Sequence, residues 1–385
     1  MAVPSSGQLC LAGIAKEKYY NNYTSAAWPP FDIKDIGYEL NNMAVGSQYG
    51  TINTDSTSSP DGIAPYCMSE WYGYDHDATS PAAWSNMSAT TVNVFCWVSS
   101  AGTVPAAMVS QGASTTSPFP ASSCTQEFNG TSWSVGGINT NVRKGINNSA
   151  IGTQNAALAF GGFANVYSCP QTSEYNGSTW SNSNNVPIGI RFTATGGNQN
   201  SAIFAGGCTT TVSTCVREYN GSTWSSGNSL PTSVYGSTGV GNQNAFLLTG
   251  GRCGTYNFCT ATREYNGTTW STGPSLSTKR YFAAGAGNQN DAKVAGGCCC
   301  YTGPIRTVSG VEDYNGTTWS TGTSLPDGRA SMASGGTTAC MWAVGGYKYG
   351  GSPSYYCTNG YIWGSPSPSP SPSPSPSPSP FPMEI

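Results

Sequence analysis

Residues 264–270 read EYNGTTW, and the same phrase returns along the chain with small changes. The other copies are EFNGTSW at 127–133, EYNGSTW at 174–180 and 218–224, DYNGTTW at 313–319, and a degenerate CTNGYIW at 357–363. The tryptophans that end these phrases lie 44 to 49 residues apart: Trp133, Trp180, Trp224, Trp270, Trp319 and Trp363. A fixed period of this length indicates a repeated supersecondary unit.

A run of small apolar residues that ends in a glycine pair lies between successive copies. These runs are ALAFGG (157–162), AIFAGG (202–207), FLLTGG (246–251), AKVAGG (292–297) and MWAVGG (341–346). The distance from a tryptophan to the second glycine of the next pair is nearly constant, at 27 to 29 residues. Variation in length therefore falls after the glycine pair, and we expect a loop there. Earlier in the chain, AMVSQG (107–112) occupies the corresponding place, and Trp84 precedes Trp133 by 49 residues.

Each unit offers four short strands. The first precedes a Gly-Asn-Gln-Asn turn, the second ends at the glycine pair, the third ends at Tyr, and the fourth carries Trp. Asn-Gly between two such strands is a strong signal for a type I′ hairpin turn, which needs positive φ at both central residues. We interpret the repeated Asn-Gly as a turn requirement, although the phrase also matches the N-glycosylation sequon.

A four-stranded unit of about 46 residues with Gly-Gly, an aromatic residue and Trp resembles the kelch repeat of β-propellers. The resemblance implies an all-β, kelch-like β-propeller over 81–363, with six blades, or seven if 64–100 forms an irregular one. We expect the last copy, at 355–363, to pair with the segment near Trp84 and close the ring. Residues 1–80 then form a small N-terminal module for attachment or oligomerisation, and 364–385 form an extended tail.

The charge content restricts the function. Only 33 of 385 residues are charged, the net charge is −3, and the single histidine is His76. A nucleic-acid partner requires a basic face, which this composition does not supply. Catalytic triads and multi-histidine metal sites are excluded because the chain has a single histidine. No apolar run reaches the ~18 residues of a membrane span, so membrane insertion is not expected.

Two charged series follow the repeat. One acid lies six residues before each tryptophan, and an arginine lies ten or eleven residues after several of them. We predict that they form Arg–carboxylate pairs within or between blades, because a buried charge is costly alone. A ring of charges lining a channel is the functional alternative. The series are Glu127, Glu174, Glu218, Glu264 and Asp313, and Arg143, Arg191, Arg280 and Arg329.

The 14 cysteines fall mainly in the loops after the glycine pairs. Loop-closing disulfides are expected, with Cys208–Cys215 and Cys253–Cys259 preferred and Cys340–Cys357 a third candidate. A metal site at residues 298–300 (Cys-Cys-Cys) is the sharper alternative, although adjacent cysteines suit tetrahedral geometry poorly. Asp75-His76-Asp77 could hold a cation, but a polar turn is the simpler interpretation. We therefore predict no metal, no cofactor and no catalytic residues, and hence no enzyme.

The two ends point to a viral particle. Residues 6–9 (SGQL) and 69–72 (SEWY) resemble N-terminal segments of virion appendage proteins of tailed phages, in which kelch-like units of this kind also occur. The N-terminus shows no secretory signal pattern, which predicts synthesis in a host cytosol followed by release in a virion. The C-terminal end contains eight Ser-Pro pairs at 365–380, a pattern typical of polyproline II.

The resemblance implies a non-enzymatic virion protein, in a tail fibre, spike or capsid appendage, that presents the propeller for host-surface binding. The expected partners are other virion proteins or further copies of the chain, through 1–80 and the tail, and a host glycan or protein. A homo-oligomer is expected. The alternative is a cell-derived extracellular fibril or surface glycan-binding propeller. Loop aromatics that the repeat does not require are the candidate contact residues: Tyr256, Phe258, Tyr301, Tyr347 and Tyr349.

Overall fold

The computed structural model describes residues 82–91, 94–114, 120–146, 151–165, 167–254, 257–299, 306–349 and 355–364. These residues form strands and turns with no helix, and one compact unit spans Ala83–Gly364. Six four-stranded antiparallel sheets follow one another along the chain. The first strands of neighbouring sheets contact each other around a closed ring. The protein is therefore a six-bladed β-propeller, as the repeat predicted.

The strands of each blade are given from the inner strand to the outer one. Blade 1 is Ser99–Thr103, Ala106–Ser110, Thr125–Phe128 and Trp133–Val135; blade 2 is Gly152–Thr153, Ala156–Phe160, Thr172–Tyr175 and Trp180–Ser183; blade 3 is Ala194–Asn198, Ser201–Ala205, Val216–Tyr219 and Trp224–Ser226; blade 4 is Thr238–Asn242, Ala245–Thr249, Thr262–Tyr265 and Trp270–Gly273; blade 5 is Ala284–Asn288, Asp291–Ala295, Val311–Tyr314 and Trp319–Gly322; blade 6 is Ala333–Gly336, Met341–Val344, Gly360–Gly364 and Ala83–Met87.

Short strands also pair outside the blades. They are Val94–Cys96 with Ala113–Ser114, Phe163–Ala164 with Tyr167–Ser168, Arg252–Cys253 with both Val234–Tyr235 and Asn257–Phe258, Cys298–Cys299 with Arg306–Thr307, and Tyr347–Lys348 with Tyr355–Tyr356. Each group contains at least one strand in the stretch after a glycine pair or, in blade 1, after Gly112, where the sequence predicted loops; Val94–Cys96 and Val234–Tyr235 lie in the links between blades.

The Asn-Gly turns differ from the predicted type I′ geometry. Tyr175 pairs directly with Trp180, so four residues, not two, connect the third and fourth strands. Gly177 has a φ of 88°, whereas Asn176 is not among the residues with positive φ. Instead the Asn176 side-chain oxygen accepts hydrogen bonds from the N–H groups of residues 178 and 179. The asparagine therefore fixes the turn through its side chain.

The ring is closed by the first strand of the unit, Ala83–Met87, which pairs with the third strand of blade 6. Trp84 lies opposite Trp363, with ring centroids 5.5 Å apart. In blade 5 the corresponding pair is Tyr314 and Trp319. Trp363 therefore occupies the tyrosine position, and Trp84 is the outer-strand tryptophan of blade 6. Placing Trp363 in the tryptophan series was wrong, because the degenerate copy has no Asn-Gly hairpin and its outer strand comes from the other end of the unit.

Aromatic residues fill the space between blades. The third-strand tyrosines are fully buried, with exposed fractions of 0 to 2%, and each packs on its tryptophan at 4.8 to 4.9 Å between ring centroids. These pairs are Tyr175–Trp180, Tyr219–Trp224, Tyr265–Trp270 and Tyr314–Trp319. Large rings packed at such contacts are the main apolar contribution to blade association.

The repeated acids bind tyrosines and a lysine, so the predicted Arg–carboxylate pairs were wrong. The hydroxyl of Tyr265 donates to Glu218 of the preceding blade at 2.9 Å, and the same bond joins Tyr175 to Glu127, Tyr219 to Glu174 and Tyr314 to Glu264. Asp313 pairs with Lys293. The cause is position: the acids lie on third strands beside the next blade's tyrosine, whereas the arginines lie on the links between blades.

The arginines bind backbone carbonyls at those links. Arg143, which is 1% exposed, donates to the carbonyls of Ala159 and Gln171. Arg280 and Arg329 make equivalent bonds in blades 5 and 6, and each also pairs with an acid outside the repeat series, Glu312 and Asp327. These arginines tie strand ends together and do not line a channel.

Candidate ligand-binding face

The propeller has two unlike ends. We call the end with the two hairpin turns of each blade the turn face, and the end with the glycine pairs, the short hairpins and the links between blades the loop face. Ala83 and Gly364 pair with each other, and the Gly364 Cβ position lies 3.2 Å from the carbonyl of Ala339, in a hairpin turn. Both connections to the rest of the chain therefore leave the unit at the turn face.

A ring of six residues in left-handed conformation marks the centre of the loop face. They occupy the same position in the six blades, have φ values of 55 to 68°, and are Trp97, Gly145, Phe192, Gly236, Phe282 and Ser331. The N–H of each residue from Gly145 onward donates to the carbonyl of the preceding member at 2.8 to 3.0 Å. Left-handed geometry is costly for bulky residues, and such strain concentrates at functional sites.

Large and small residues alternate around this ring, so three aromatic rings meet at the axis. Phe192 lies 5.9 Å from Trp97 and 5.0 Å from Phe282, measured between ring centroids. We call Trp97, Phe192 and Phe282 the aromatic plug. Trp97 and Phe192 are half-buried, and Phe282 is buried. The alternation lets three side chains fill the space that six would overfill.

Cations and further rings surround the plug in blades 2 to 4. The guanidinium carbon of Arg191 lies 5.0 Å from the centre of the Phe163 ring and 5.9 Å from that of Phe192. The Lys144 ammonium lies 5.4 Å from Phe163. In blade 4, Arg252 lies 5.7 Å from the ring centre of Tyr235 and donates to its hydroxyl at 2.7 Å. These are cation–π distances.

Blades 5 and 6 contribute mainly tyrosines, and here the predicted contact residues can be placed. Phe258 and Tyr347 belong to one apolar cluster with Phe282, but they are only 5% and 9% exposed. They were predicted as exposed contacts and are instead packing residues, since Phe258 stacks on Tyr281 at 5.1 Å. Tyr349 is 42% exposed on this face. Tyr256 and Tyr301 lie outside the described residues.

One predicted disulfide is present and two are not. Cys253 and Cys259 are bonded, whereas Cys208, Cys215, Cys340 and Cys357 are free thiols. In blade 4 the disulfide joins Cys253, the second residue after the glycine pair, to Cys259. The N–H of Cys259 donates to the carbonyl of the second glycine of that pair. Cys208 is one position too early and Cys215 two positions too late for this arrangement, since the matching residues of blade 3 are Thr209 and Ser213.

Cys340 and Cys357 are separated along the sheet. Cys340 precedes the second strand of blade 6 at the turn face, and Cys357 bonds to Gly346 at the loop face. The strand Met341–Val344 lies between these levels, and its four residues span roughly 13 Å at ~3.3 Å per residue. A disulfide needs Cα atoms within about 7 Å, so this pairing is excluded by the fold.

The buried thiols are poor nucleophiles. Burial raises the pKa of Cys96 to about 12 and that of Cys298 to about 11, and the thiolate is the reactive form. Among the described residues, no cluster of three or more His, Cys, Asp or Glu side chains could hold a metal ion. Cys300, His76 and its flanking aspartates lie outside them.

The inner strands enclose a central cavity of about 160 Å³. Its lining is mostly glycine, one or two from each blade, including Gly102, Gly152, Gly197, Gly239 and Gly285. Glycine is required by close approach: a Cβ at Gly239 would lie 2.6 Å from the backbone nitrogen of Thr195. The cavity presents backbone groups and few functional side chains.

No protein-family model matches the sequence, and no curated protein does. Among solved structures, that of YjhT superimposes with a TM-score of 0.60 and 14% sequence identity, covering 72% of this chain and 96% of YjhT. YjhT is a propeller-like protein, and likeness at this identity concerns the fold alone. Within the described residues, no helix is long and apolar enough to cross a membrane.

The plug and the cations of the loop face were not predicted from the sequence. Arg191 was assigned to the structural arginine series. The N–H of Gly162 donates to the carbonyl of Ile190, however, and the equivalent N–H of Gly251 donates to the carbonyl of Arg280. Arg191 is thus one position later than the structural arginines. Two motifs in the links between blades, Arg191-Phe192 and Arg280-Tyr281-Phe282, could have indicated this face. Their aromatic residues do not recur in every repeat, so the repeat itself does not require them.

Proposed function

We propose that this protein is a non-enzymatic adhesive component of a virion, part of a tail fibre, spike or capsid appendage, and that its loop face binds a host-surface glycan or protein. The observation that carries the proposal is the polarity of the propeller. The chain enters and leaves at the turn face through Ala83 and Gly364, while the aromatic plug and the short hairpins lie at the opposite end. A protein attached through its other segments would present the loop face outward.

The chemistry of the loop face supports binding. Half-buried aromatic rings beside cations offer stacking surfaces and hydrogen-bond donors, which interfaces use for most of their affinity. The hairpins after the glycine pairs differ in sequence and length from blade to blade, whereas the blades share one four-stranded arrangement. Variable loops on a constant scaffold are the usual location of recognition residues.

The described acids favour a binding function over catalysis. Glu127, Glu174, Glu218 and Glu264 are engaged by tyrosines between blades. The remaining acids bind cations or a threonine: Glu312, Asp313, Asp327 and Asp291. We therefore infer that the propeller recognises its target without transforming it.

Two observations test the virion assignment. Antibodies raised against the recombinant protein should label phage particles in a lysate of the source culture, seen as immunogold at tail or capsid appendages. Genes for capsid and tail proteins should flank the coding sequence. Labelling confined to cell surfaces or extracellular fibrils would contradict the assignment.

The second candidate is a cell-derived extracellular surface propeller, and the Cys253–Cys259 disulfide favours it. Disulfides persist mainly in oxidising environments, and an exported protein forms them during secretion. A virion protein would acquire the bond only after lysis. Alkylation of the protein in intact producing cells, followed by mass spectrometry, separates these histories: a bond already formed inside the cell envelope favours the cell-derived protein.

A further inference from the structure

The loop face carries an arc of three cations and three aromatic rings in three consecutive blades. In order, its members are Lys144, Phe163, Arg191, Phe192, Tyr235 and Arg252, and we call them the cation arc. Phe163 and Phe192 are 5.7 Å apart, and Phe192 and Tyr235 are 6.4 Å apart, between ring centroids. All six side chains are half-buried, so they are partly desolvated and still reachable from solvent.

We propose that the cation arc is a binding site for an acidic glycan, one whose sugars carry carboxylate, sulfate or phosphate groups. The inference rests on the proposed adhesive function and specifies its ligand class. The planar fork of a guanidinium group matches two oxygens of a carboxylate or phosphate and binds them through two parallel hydrogen bonds. The rings beside them provide the apolar surface on which the C–H face of a sugar packs.

Charge segregation supports an anionic ligand. The protein as a whole has a net charge of −3, yet none of the described acids belongs to the arc. Four of these acids lie in the tyrosine bonds between blades, and the other four bind Lys293, Arg280, Arg329 and Thr338. Among the described residues the arc therefore gathers three cations and no acid, an arrangement that favours an anionic ligand.

The positions of the cations are those of a built arrangement. Lys144 and Arg191 occupy the same place in blades 2 and 3, where each pairs with the first residue after its glycine pair, Phe163 and Cys208. Arg252 is the first residue after the glycine pair of blade 4, and it pairs with Tyr235. Each cation is thus fixed by a backbone ladder next to the strained ring of the plug, which lowers the entropy lost on binding.

A glycan with sparse charges fits the arc better than a nucleic acid. Single-stranded nucleic acids also bind grooves with rings and cations, but their dense phosphate charge requires many cations for neutralisation. The arc offers three cations on a protein of net negative charge. This number suits a glycan that carries one or two acidic groups among neutral sugar rings.

The test uses the full-length chain on surfaces coated with alginate, dextran sulfate, a poly(glycerol phosphate) polymer, neutral dextran or single-stranded DNA. We expect binding to at least one acidic glycan, with affinity falling as salt rises, and at least tenfold weaker binding by R191Q and by K144Q. Arg217 provides the matched control, because it lies on the third strand of the same blade. R217Q should bind within twofold of the unchanged protein.

The outcomes separate the two proposals. Equal binding to neutral dextran, preferred binding to DNA, or an unchanged affinity in R191Q and K144Q would overturn the acidic-glycan site and leave the adhesive function standing. Absence of binding to alginate, to dextran sulfate and to poly(glycerol phosphate) would also overturn this site. Absence of binding to those polymers, to host cells and to a glycan array would overturn the adhesive function as well. Thermal unfolding of each variant verifies that the substitutions leave the propeller folded.

Discussion

The hydroxyl of Tyr265 in blade 4 donates a hydrogen bond to the carboxylate of Glu218 in blade 3, at 2.9 Å. The same contact joins four successive blade pairs, from Glu127–Tyr175 to Glu264–Tyr314. Among the described residues the sheets of neighbouring blades do not pair with each other, so these bonds and the packed rings join the blades together with the hydrogen bonds at the links. A hydrogen bond to a charged acceptor is stronger than one between neutral groups.

Removing one of these hydroxyls should destabilise the propeller. We expect Tyr265→Phe to lower the free energy of unfolding by about 1–2 kcal/mol, because the ring is retained while the partly buried Glu218 loses its donor. The measurement is chemical denaturation followed by tryptophan fluorescence. Tyr167→Phe is the control, since Tyr167 is 78% exposed and its substitution should leave stability unchanged. Equal stability of both variants would contradict the role of the bond.

Alkaline pH should weaken the same contacts. Burial, followed by the hydrogen bond to the glutamate, raises the pKa of Tyr175 and of Tyr219 from the ordinary 10 to about 12. Because the folded state binds these protons more tightly, its added stability is complete below pH 10 and is lost as the pH rises from about 10 to 12. Denaturation midpoints from pH 7 to 11.5 should fall above pH 10, and less steeply in Tyr219→Phe. A flat profile to pH 11.5 would contradict these shifts.

Ring closure depends on Trp84. This residue contacts Trp363 at 5.5 Å, and its indole N–H donates to the carbonyl of Thr323 at 2.8 Å. We expect Trp84→Ala to lower the free energy of unfolding by about 2–3 kcal/mol, less than full burial of a Trp would give. Val135→Ala, on the 66% exposed outer strand position of blade 1, should change it by less than about 0.5 kcal/mol.

The cysteines provide a chemical test of the loop face. Replacing Cys253 and Cys259 by serine should lower the free energy of unfolding by about 2 kcal/mol, because the disulfide closes a loop with a sequence separation of 6. In the folded protein at pH 8, iodoacetamide should leave Cys96 and Cys298 unmodified, since burial raises the pKa of both thiols. Chemical denaturation measures the first result, and peptide mapping after alkylation measures the second; protection of Cys208 and Cys215 as a disulfide would contradict the register of blade 3.

The repeat made the propeller predictable, because Gly-Gly, Tyr and Trp recur at nearly fixed distances and each has a packing reason. Tertiary pairing was harder to predict. The partner of Glu218 is Tyr265, 47 residues away in the next blade, and no local pattern distinguishes it from a nearby arginine. Cys208–Cys215 resembles Cys253–Cys259 in spacing, yet a shift of one or two residues relative to the ladder separates the thiols. Trp363 took the tyrosine position because its blade is completed by a distant strand.

The loop face was the least visible in the sequence. Phe192 and Arg191 belong to a link between blades, and their importance comes from a ring of equivalent positions that only the closed fold brings together. Phe258 and Tyr347 looked like exposed loop aromatics, but the short hairpins fold them over the plug and bury them.

The direct test of the central claim asks which face binds. Full-length protein carrying p-azidophenylalanine at Tyr167, on the exposed loop-face hairpin of blade 2, or at Asn200, in an exposed turn of blade 3, would be coupled to a 20-kDa polyethylene glycol (a size of about the scale of one domain). Binding is then measured on a glycan array and on host cells. The account predicts that polymer at position 167 abolishes binding and polymer at position 200 preserves it. Loss of binding only with polymer at position 200 would contradict it.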